Sequence, residues 1–324
     1  MMNNVLNTDP VSIADAVGQI NDRVDGGSAN VLSGIEVLDE ITNGWAPGEF
    51  CIFGASVAMG KTSFVLSCIS NIVQNGTPVA LFSATDGCNE YFLTRVVCAL
   101  GNRELPQTDE QRLMLLRDAH LEDVPLNLCF NIRMTVSYIH DKTVALIMEK
   151  GVRCVFIDTL QSVFASEEDG NTKEGVKRIC HELRIMAKEF NIPVIVTSEL
   201  SRAVDNRNGS WGKRPKLSDL MSRSAIEHEA DSVYLFYRPE YYMIYEDEQG
   251  NDLHDRGKVI IAKNHTGACG TVCLKFNHQT ALIEDIPDII EKRRMMEAAR
   301  LQLTDEIRSG SRYSSLVEKL GLQF

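Results

Sequence analysis

The stretch Gly54-Ala55-Ser56-Val57-Ala58-Met59-Gly60-Lys61-Thr62 carries the residue types that hold a triphosphate. Small residues let backbone N–H groups converge on phosphate oxygens. The lysine ammonium reaches the β/γ-phosphates, and the threonine hydroxyl holds Mg²⁺. The expected nucleotide-contacting residues are therefore Ala58, Met59, Gly60, Lys61, Thr62 and Ser63. The usual G-x-x-x-x-G-K-[ST] spacing has Ala55 in place of its first glycine, a departure of one methyl group. A second carboxylate feature follows at Asp158, which ends the apolar run Val155-Phe156-Ile157. In a parallel sheet the ligand crevice lies beyond the carboxyl ends of the strands. Asp158 is thus expected beside the phosphate loop, where with Thr62 it supports Mg²⁺.

The elements around these residues are those the chemistry requires. Phe50–Phe53 is an apolar strand and Ser63-Phe64-Val65-Leu66-Ser67 opens a helix, so the loop sits between strand and helix. Strand-like runs recur at Val79–Ser83, Leu126–Phe130, Cys154–Ile157 and Val194–Thr197. Helical patterns over 61–74, 89–101, 136–149 and 173–190 lie between most of them. This alternation predicts an α/β fold, a mostly parallel central sheet with helices on both faces. Ser232–Tyr237, Val259–Ala262 and Thr271–Phe276 follow without helices between them and predict an antiparallel extension. Residues 202–225 read as a long polar loop, of the kind that carries function. Residues 244–257 read as an acidic, solvated hairpin.

Outside this core, residues 12–24 predict an amphipathic helix, with Ser12 as N-cap and Ile13, Val17, Ile20 and Val24 on one face. Gly26-Gly27-Ser28 is a hinge. A helical tail is expected over 287–308, with Ile289, Met296, Ala299, Leu303 and Ile307 on one side, and a short helix over Ser315–Leu322. The expected organisation is a helix and hinge over 1–30, an α/β nucleotide-binding domain over 31–285 and a helical tail over 286–324.

The chain has 324 residues, 44% of them hydrophobic, enough for a sizeable core. No apolar run reaches the roughly 18 residues of a membrane span. The N-terminus lacks a secretory pattern, and a cytoplasmic protein is expected. The nine cysteines form no C-x-x-C pair and read as small core residues in a reducing compartment. Cys269 and Cys273, four apart on a strand, are poor metal ligands. The net charge of −12 argues against a broad nucleic-acid face but permits a local basic channel.

Further blocks, in order, carry a resemblance: Ala58-Met59-Gly60-Lys61-Thr62, Ile157-Asp158-Thr159-Leu160-Gln161, Ser198-Glu199-Leu200-Ser201-Arg202, Lys213-Arg214-Pro215 with Ser218-Asp219-Leu220, Ile226-Glu227 with Ala230-Asp231, Tyr237-Arg238, and Lys263-Asn264-His265-Thr266-Gly267 with Gly270-Thr271-Val272. Across roughly residues 30–285 the chain resembles the C-terminal ATPase domain of DnaB-type replicative DNA helicases. The resemblance implies a RecA-like P-loop NTPase fold and a homohexameric ring that acts in DNA replication. It implies ATP and Mg²⁺ between subunits, single-stranded DNA in the channel, and a primase or loader as partner. It implies that 1–30 is a linker helix and hinge, that 31–285 is an ATPase domain, and that the helix at 12–24 docks on the next subunit. It also implies that the family's amino-terminal primase-interacting domain is lacking. Lys61, Asp158, Glu199, Lys263 and His265 fall on catalytic positions. Arg202, Arg207, Lys213, Arg214 and Arg223, with Lys216, fall on loops that face DNA.

The departures are as informative. Thr85 stands where the family's catalytic Glu activates water, Asp86 beside it. Glu199 replaces the polar sensor Gln. His265 occupies the arginine-finger position, with Lys263 retained as its pair. Met221-Ser222-Arg223-Ser224 shifts the basic residue of the DNA loop. Two readings follow: a helicase with relocated groups, in which Glu199 or Asp86 orients water, or an ATP-binding partner or regulator of such a ring that hydrolyses poorly. A recombinase-like DNA-binding ATPase is a third reading, disfavoured by the Asp-Thr-Leu-Gln block.

Overall fold

A computed structural model describes residues 12, 13, 29–85, 89–165, 173–207, 209, 212–221 and 223–296. The chain divides into two compact units, Met1–Glu284 and Asp285–Phe324. The first contains, in chain order, α1 (Glu36–Thr42), β1 (Phe50–Ala55), α2 (Lys61–Gln74), β2 (Val79–Ser83), α3 (Glu90–Leu100), α4 (Asp109–Arg117), β3 (Leu126–Phe130), β4 (Met134–Thr135), α5 (Val136–Lys150), β5 (Cys154–Asp158), β6 (Val163–Phe164), α6 (Lys173–Phe190), β7 (Val194–Glu199), α7 (Arg223–Glu229), β8 (Ser232–Tyr237), β9 (Arg256–Asn264), β10 (Gly270–Asn277) and β11 (Leu282–Glu284). In the second unit, residues 287–296 are helical. The expected 12–24 helix beyond its first two residues, Asp86, and the tail beyond Met296 lie outside the described residues.

One nine-stranded sheet runs in the order β11-β10-β9-β8-β1-β7-β5-β2-β3. The strands from β8 to β3 are parallel. β9, β10 and β11 continue antiparallel from β8. The expected antiparallel extension thus begins one strand later than the sequence suggests, because Ser232–Tyr237 pairs parallel to β1. The polar, partly helical segment over 200–229 carries the chain back to the start of the sheet before β8, as a parallel crossover requires.

Strand alternation places the helices on both faces. Phe50, Ile52, Val194 and Val196 share a buried cluster with Val136 and Ile139 of α5 and with Ile179, Leu183 and Met186 of α6. The intervening residues point the other way. There Phe53 stacks on Phe64 of α2, centroids 3.7 Å apart and 4° from parallel, and Phe156 meets Trp45 edge-on at 5.9 Å. Five of the cysteines, Cys51, Cys68, Cys98, Cys154 and Cys180, are buried. No described helix is long and apolar enough to cross a membrane.

Candidate functional site: a phosphate loop at the carboxyl edge of the sheet

Register brings the predicted groups together. Ala55 at the end of β1 is level with Glu199 at the end of β7, and Ser83 at the end of β2 is level with Asp158 at the end of β5. All of them lie at one edge, above which the chain turns from β1 into α2. Ala58 (φ 58°) and Gly60 (φ 116°) adopt left-handed backbone in that turn. A Cβ at Gly60 would also sit 3.3 Å from ring carbons of Phe236 and Phe276, a tight contact added to a backbone conformation that favours glycine. Ala55 is fully buried at the strand end, and its methyl group is accommodated there.

The first turn of α2 has no side-chain cap, which leaves its amides to a ligand. The Lys61 ammonium donates to the carbonyls of Ala55 (3.2 Å) and Ser56 (3.1 Å). Burial lowers its pKa, against the opposing pull of Glu199 and Asp158. Thr62 Oγ1 donates to Asp158 Oδ2 at 2.7 Å, and Thr197 Oγ1 donates to Asp158 Oδ1 at 2.6 Å. Asp158 is thus held by two hydroxyls, one of them the expected Mg²⁺ ligand. An ammonium, unsatisfied helix amides and a Thr–Asp pair form the donor set that fits a nucleotide triphosphate with Mg²⁺. Met59 contributes backbone only: its side chain is buried and its sulfur accepts from Arg238 N at 3.3 Å.

Gln161 ties the neighbouring strand ends together. Its Oε1 accepts from Thr159 Oγ1 (2.8 Å) and from Glu199 N (3.1 Å), and its Nε2 donates to Ser198 Oγ (3.1 Å). Glu199 is therefore fixed at its backbone, and its negative charge raises the Lys61 pKa against the effect of burial. Thr85 lies just past β2, and its hydroxyl is buried with no hydrogen-bond partner.

Two contributors escaped the sequence reading. Thr197 shares a strand face with Glu199, a period-two signal visible in Thr197-Ser198-Glu199. Arg95 of α3 donates to Ser63 Oγ at 3.1 Å; burial lowers its pKa and Asp158 opposes this. Its signal was a charge on the apolar stripe Phe92–Val96–Ala99.

Lys263 and His265 lie far from this loop. Asn264 is level with Ser232, the first residue of β8, so both sit at the opposite edge of the sheet. Neither can serve the phosphate loop of its own chain. The Lys263 ammonium donates to the carbonyls of Glu227 (2.8 Å) and Ala230 (2.6 Å) and caps α7, whereas His265 is exposed.

The basic loop is partly self-satisfied. Arg202 is exposed at the start of a 3₁₀ turn. Arg207 forms a bidentate pair with Asp219, which is 4% exposed and also accepts from Lys216 N at 2.7 Å. Lys213 donates to Asp205 O at 2.5 Å, and Arg214 to Thr271 Oγ1 at 2.6 Å. The Arg223 side chain lies outside the described atoms. Arg207 therefore braces the loop through Asp219. Asp219→Ala is expected to lower stability by about 1–3 kcal/mol by stranding these donors, seen as an earlier urea midpoint at unchanged slope.

Comparisons with known proteins agree with this geometry. The model of the DnaB-like helicase C-terminal domain family matches residues 30–285. The replicative DNA helicase DnaC of Bacillus subtilis (strain 168) is 32% identical over 282 residues, 82% of this chain and 58% of that protein. A probable replicative DNA helicase of Trieres chinensis is 32% identical over 259 residues, 77% of this chain and 56% of that protein. The chain thus spans little more than half the length of these curated relatives. Among solved structures, an ATPase domain superposes with a TM-score of 0.70 at 28% identity, covering 86% of this chain and all of that one. A DnaB-like replicative helicase described with its interactions with primase gives 0.69 at 29%, covering 86% of this chain and 68% of that one. The fold is RecA-like, and this chain belongs to the DnaB-like helicase C-terminal domain family.

Proposed function

We propose that this chain is a DnaB-type ATPase. It binds ATP with Mg²⁺ at the interfaces of a homohexameric ring and uses turnover to move along single-stranded DNA during replication in the cytoplasm. The observation that carries the reading is the Thr62–Asp158–Thr197 bond system beneath an uncapped α2, with the Lys61 ammonium alongside. Lys61 and the α2 amides hold phosphate, and Thr62 and Asp158 hold the metal. Bound Mg²⁺ would neutralise phosphate charge and polarise the phosphoryl oxygens. Glu199 orients the attacking water, and His265 reaches the phosphates of the neighbouring subunit. Arg202, Lys213 and Arg223 give salt-sensitive, sequence-independent contacts to the strand. A primase or loader is the natural partner of such a ring. The linker helix over 1–30, the ATPase domain over 31–285 and the tail over 286–324 remain the proposed division of labour.

Saturable binding of ATP·Mg²⁺ tests this. Lys61→Ala is expected to weaken it tenfold or more, on the order of 1.4 kcal/mol. A wild-type protein with no saturable affinity for ATP or its analogues ends the proposal. The alternative is an ATP-binding ring component or regulator with little hydrolysis of its own, because Thr85, whose hydroxyl has no hydrogen-bond partner, stands where the family's catalytic Glu is expected. Single-stranded-DNA-stimulated turnover in the wild type rules that second reading out.

A further inference from the structure

The geometry points to a cation site built from residues other than those of the phosphate loop: Glu240, Asp255 and His278 form a three-ligand site for a borderline divalent ion of the Zn²⁺ class. Neither Thr62 nor Asp158 takes part in it. The ligands come from three separate segments at one edge of the sheet. Glu240 lies in the 3₁₀ turn Pro239–Tyr242 that follows β8, Asp255 immediately precedes β9, and His278 immediately follows β10. β8 and β9 are antiparallel, as are β9 and β10, so the end of β8, the start of β9 and the end of β10 share that edge.

Three donor atoms converge there. His278 Nε2 stands 3.0 Å from Glu240 Oε1 and 3.2 Å from Asp255 Oδ1. One donor atom from each residue lies within 4.8 Å of the other two. Ligands held at about 2.0–2.1 Å from Zn²⁺ stand roughly 2.9–3.4 Å apart around its shell, so His278 already keeps coordination spacing from both carboxylates. Nε2 carries at most one proton, and that proton must be shared between two anionic oxygens. A divalent ion meets both oxygens and the ring nitrogen at once.

The donors are oriented by their surroundings, as metal ligands are by outer contacts. Glu240 Oε2 accepts from Asp255 N at 2.7 Å, which turns Oε1 to His278. Asp255 O accepts from Phe276 N at 2.7 Å, and the Phe276 ring meets His278 edge-on at 5.0 Å and 71°. The side chains of His278 and Asp255 are 50% and 48% exposed and that of Glu240 21%, so an ion can enter and water can complete its shell. The imidazole selects against Mg²⁺ and Ca²⁺, which take oxygen ligands. Arg238 opposes the ion: its Nη2 lies 3.4 Å from His278 Nε2 and 3.8 Å from Glu240 Oε1, with the guanidinium carbon 3.6 Å from the centre of the Phe276 ring. Two carboxylates and one guanidinium still leave a net negative charge for the ion to meet. Once bound, it would pin the turns flanking β8, β9 and β10 to one another.

The test is Zn²⁺ binding to the full chain, reduced and free of nucleotide, by competition with a chromophoric chelator. Cys269→Ser/Cys273→Ser serves as the parent, so that the less buried thiols of that strand do not compete. The parent is expected to bind one equivalent at micromolar free Zn²⁺, and its thermal midpoint should rise as Zn²⁺ is added. His278→Ala, Glu240→Gln and Asp255→Asn should each weaken binding by about 10–100-fold or more, since loss of even an outer partner costs that much. His278→Ala removes a half-exposed ring, so it should fold and lose the Zn²⁺-dependent rise. Millimolar Mg²⁺ should not displace the Zn²⁺. A parent with no saturable Zn²⁺ binding, an affinity unchanged in His278→Ala, or displacement by Mg²⁺ overturns the site. Because no nucleotide is present, each of these failures leaves the ATPase reading standing.

Discussion

Thr85→Glu is expected to raise single-stranded-DNA-stimulated ATP turnover by up to about 10²–10⁴-fold, the whole contribution of a positioned general base, and by less to the extent that Glu199 already supplies one. Thr85 follows the end of β2, and Ser83 is level with Asp158. Position 85 therefore overlooks the carboxyl edge where the phosphate loop opens. Its hydroxyl cannot take a proton from water at neutral pH, and in the folded chain it makes no hydrogen bond. The substitution should change kcat far more than ATP affinity, because the base acts only as the reaction proceeds. The double variant Lys61→Ala/Thr85→Glu should lose the gain. If ATP still binds to Thr85→Glu and turnover does not rise, the base is elsewhere. Glu199, whose charge acts on Lys61, is then the group to remove.

Much of this site could be read from the chain because its chemistry is local. A strand, a small-residue turn and a helix must be contiguous for Lys61 and Thr62 to meet phosphate, and contiguity is visible in a sequence. Asp158 required one further step, the rule that ligands gather at the carboxyl ends of parallel strands, and its bond to Thr62 agrees with that rule. What failed to show was partnership across the fold. The apolar alternation of Ser232–Tyr237 is the same whether its neighbour runs parallel or antiparallel, so its pairing with β1 could not be read. Arg207 and Lys213 look identical as loop cations, yet one is bound by a buried carboxylate and the other by a backbone carbonyl. The Lys263 ammonium caps a helix well upstream by the fold's arrangement, not by any local pattern, and so is less free than its position in the family motif implies.

His265→Arg carries the largest expected effect, a gain in turnover of up to about 10³–10⁵-fold, the worth of an arginine supplied in trans. The sheet dictates where that gain must appear. β9 runs antiparallel to β8 and delivers residue 265 to the edge opposite the phosphate loop. An arginine there cannot reach the phosphates bound by its own chain, so in the proposed ring it would act across a subunit boundary. Neutral histidine offers one donor at shorter reach, whereas guanidinium offers a fixed positive charge and a bidentate fork. Position 265 is exposed, so the change should cost little stability. The decisive experiment mixes subunits. Chains carrying both Lys61→Ala and His265→Arg should be inactive alone, yet should accelerate ATP turnover when assembled with otherwise wild-type chains, because they donate the arginine while lacking a working loop. Acceleration that rises with the mixing ratio and disappears on dilution below the assembly concentration supports the arrangement. A His265→Arg protein that gains activity as a dilute monomer, or mixed assemblies no faster than wild type, would show that this edge of the sheet does not face a neighbour's nucleotide.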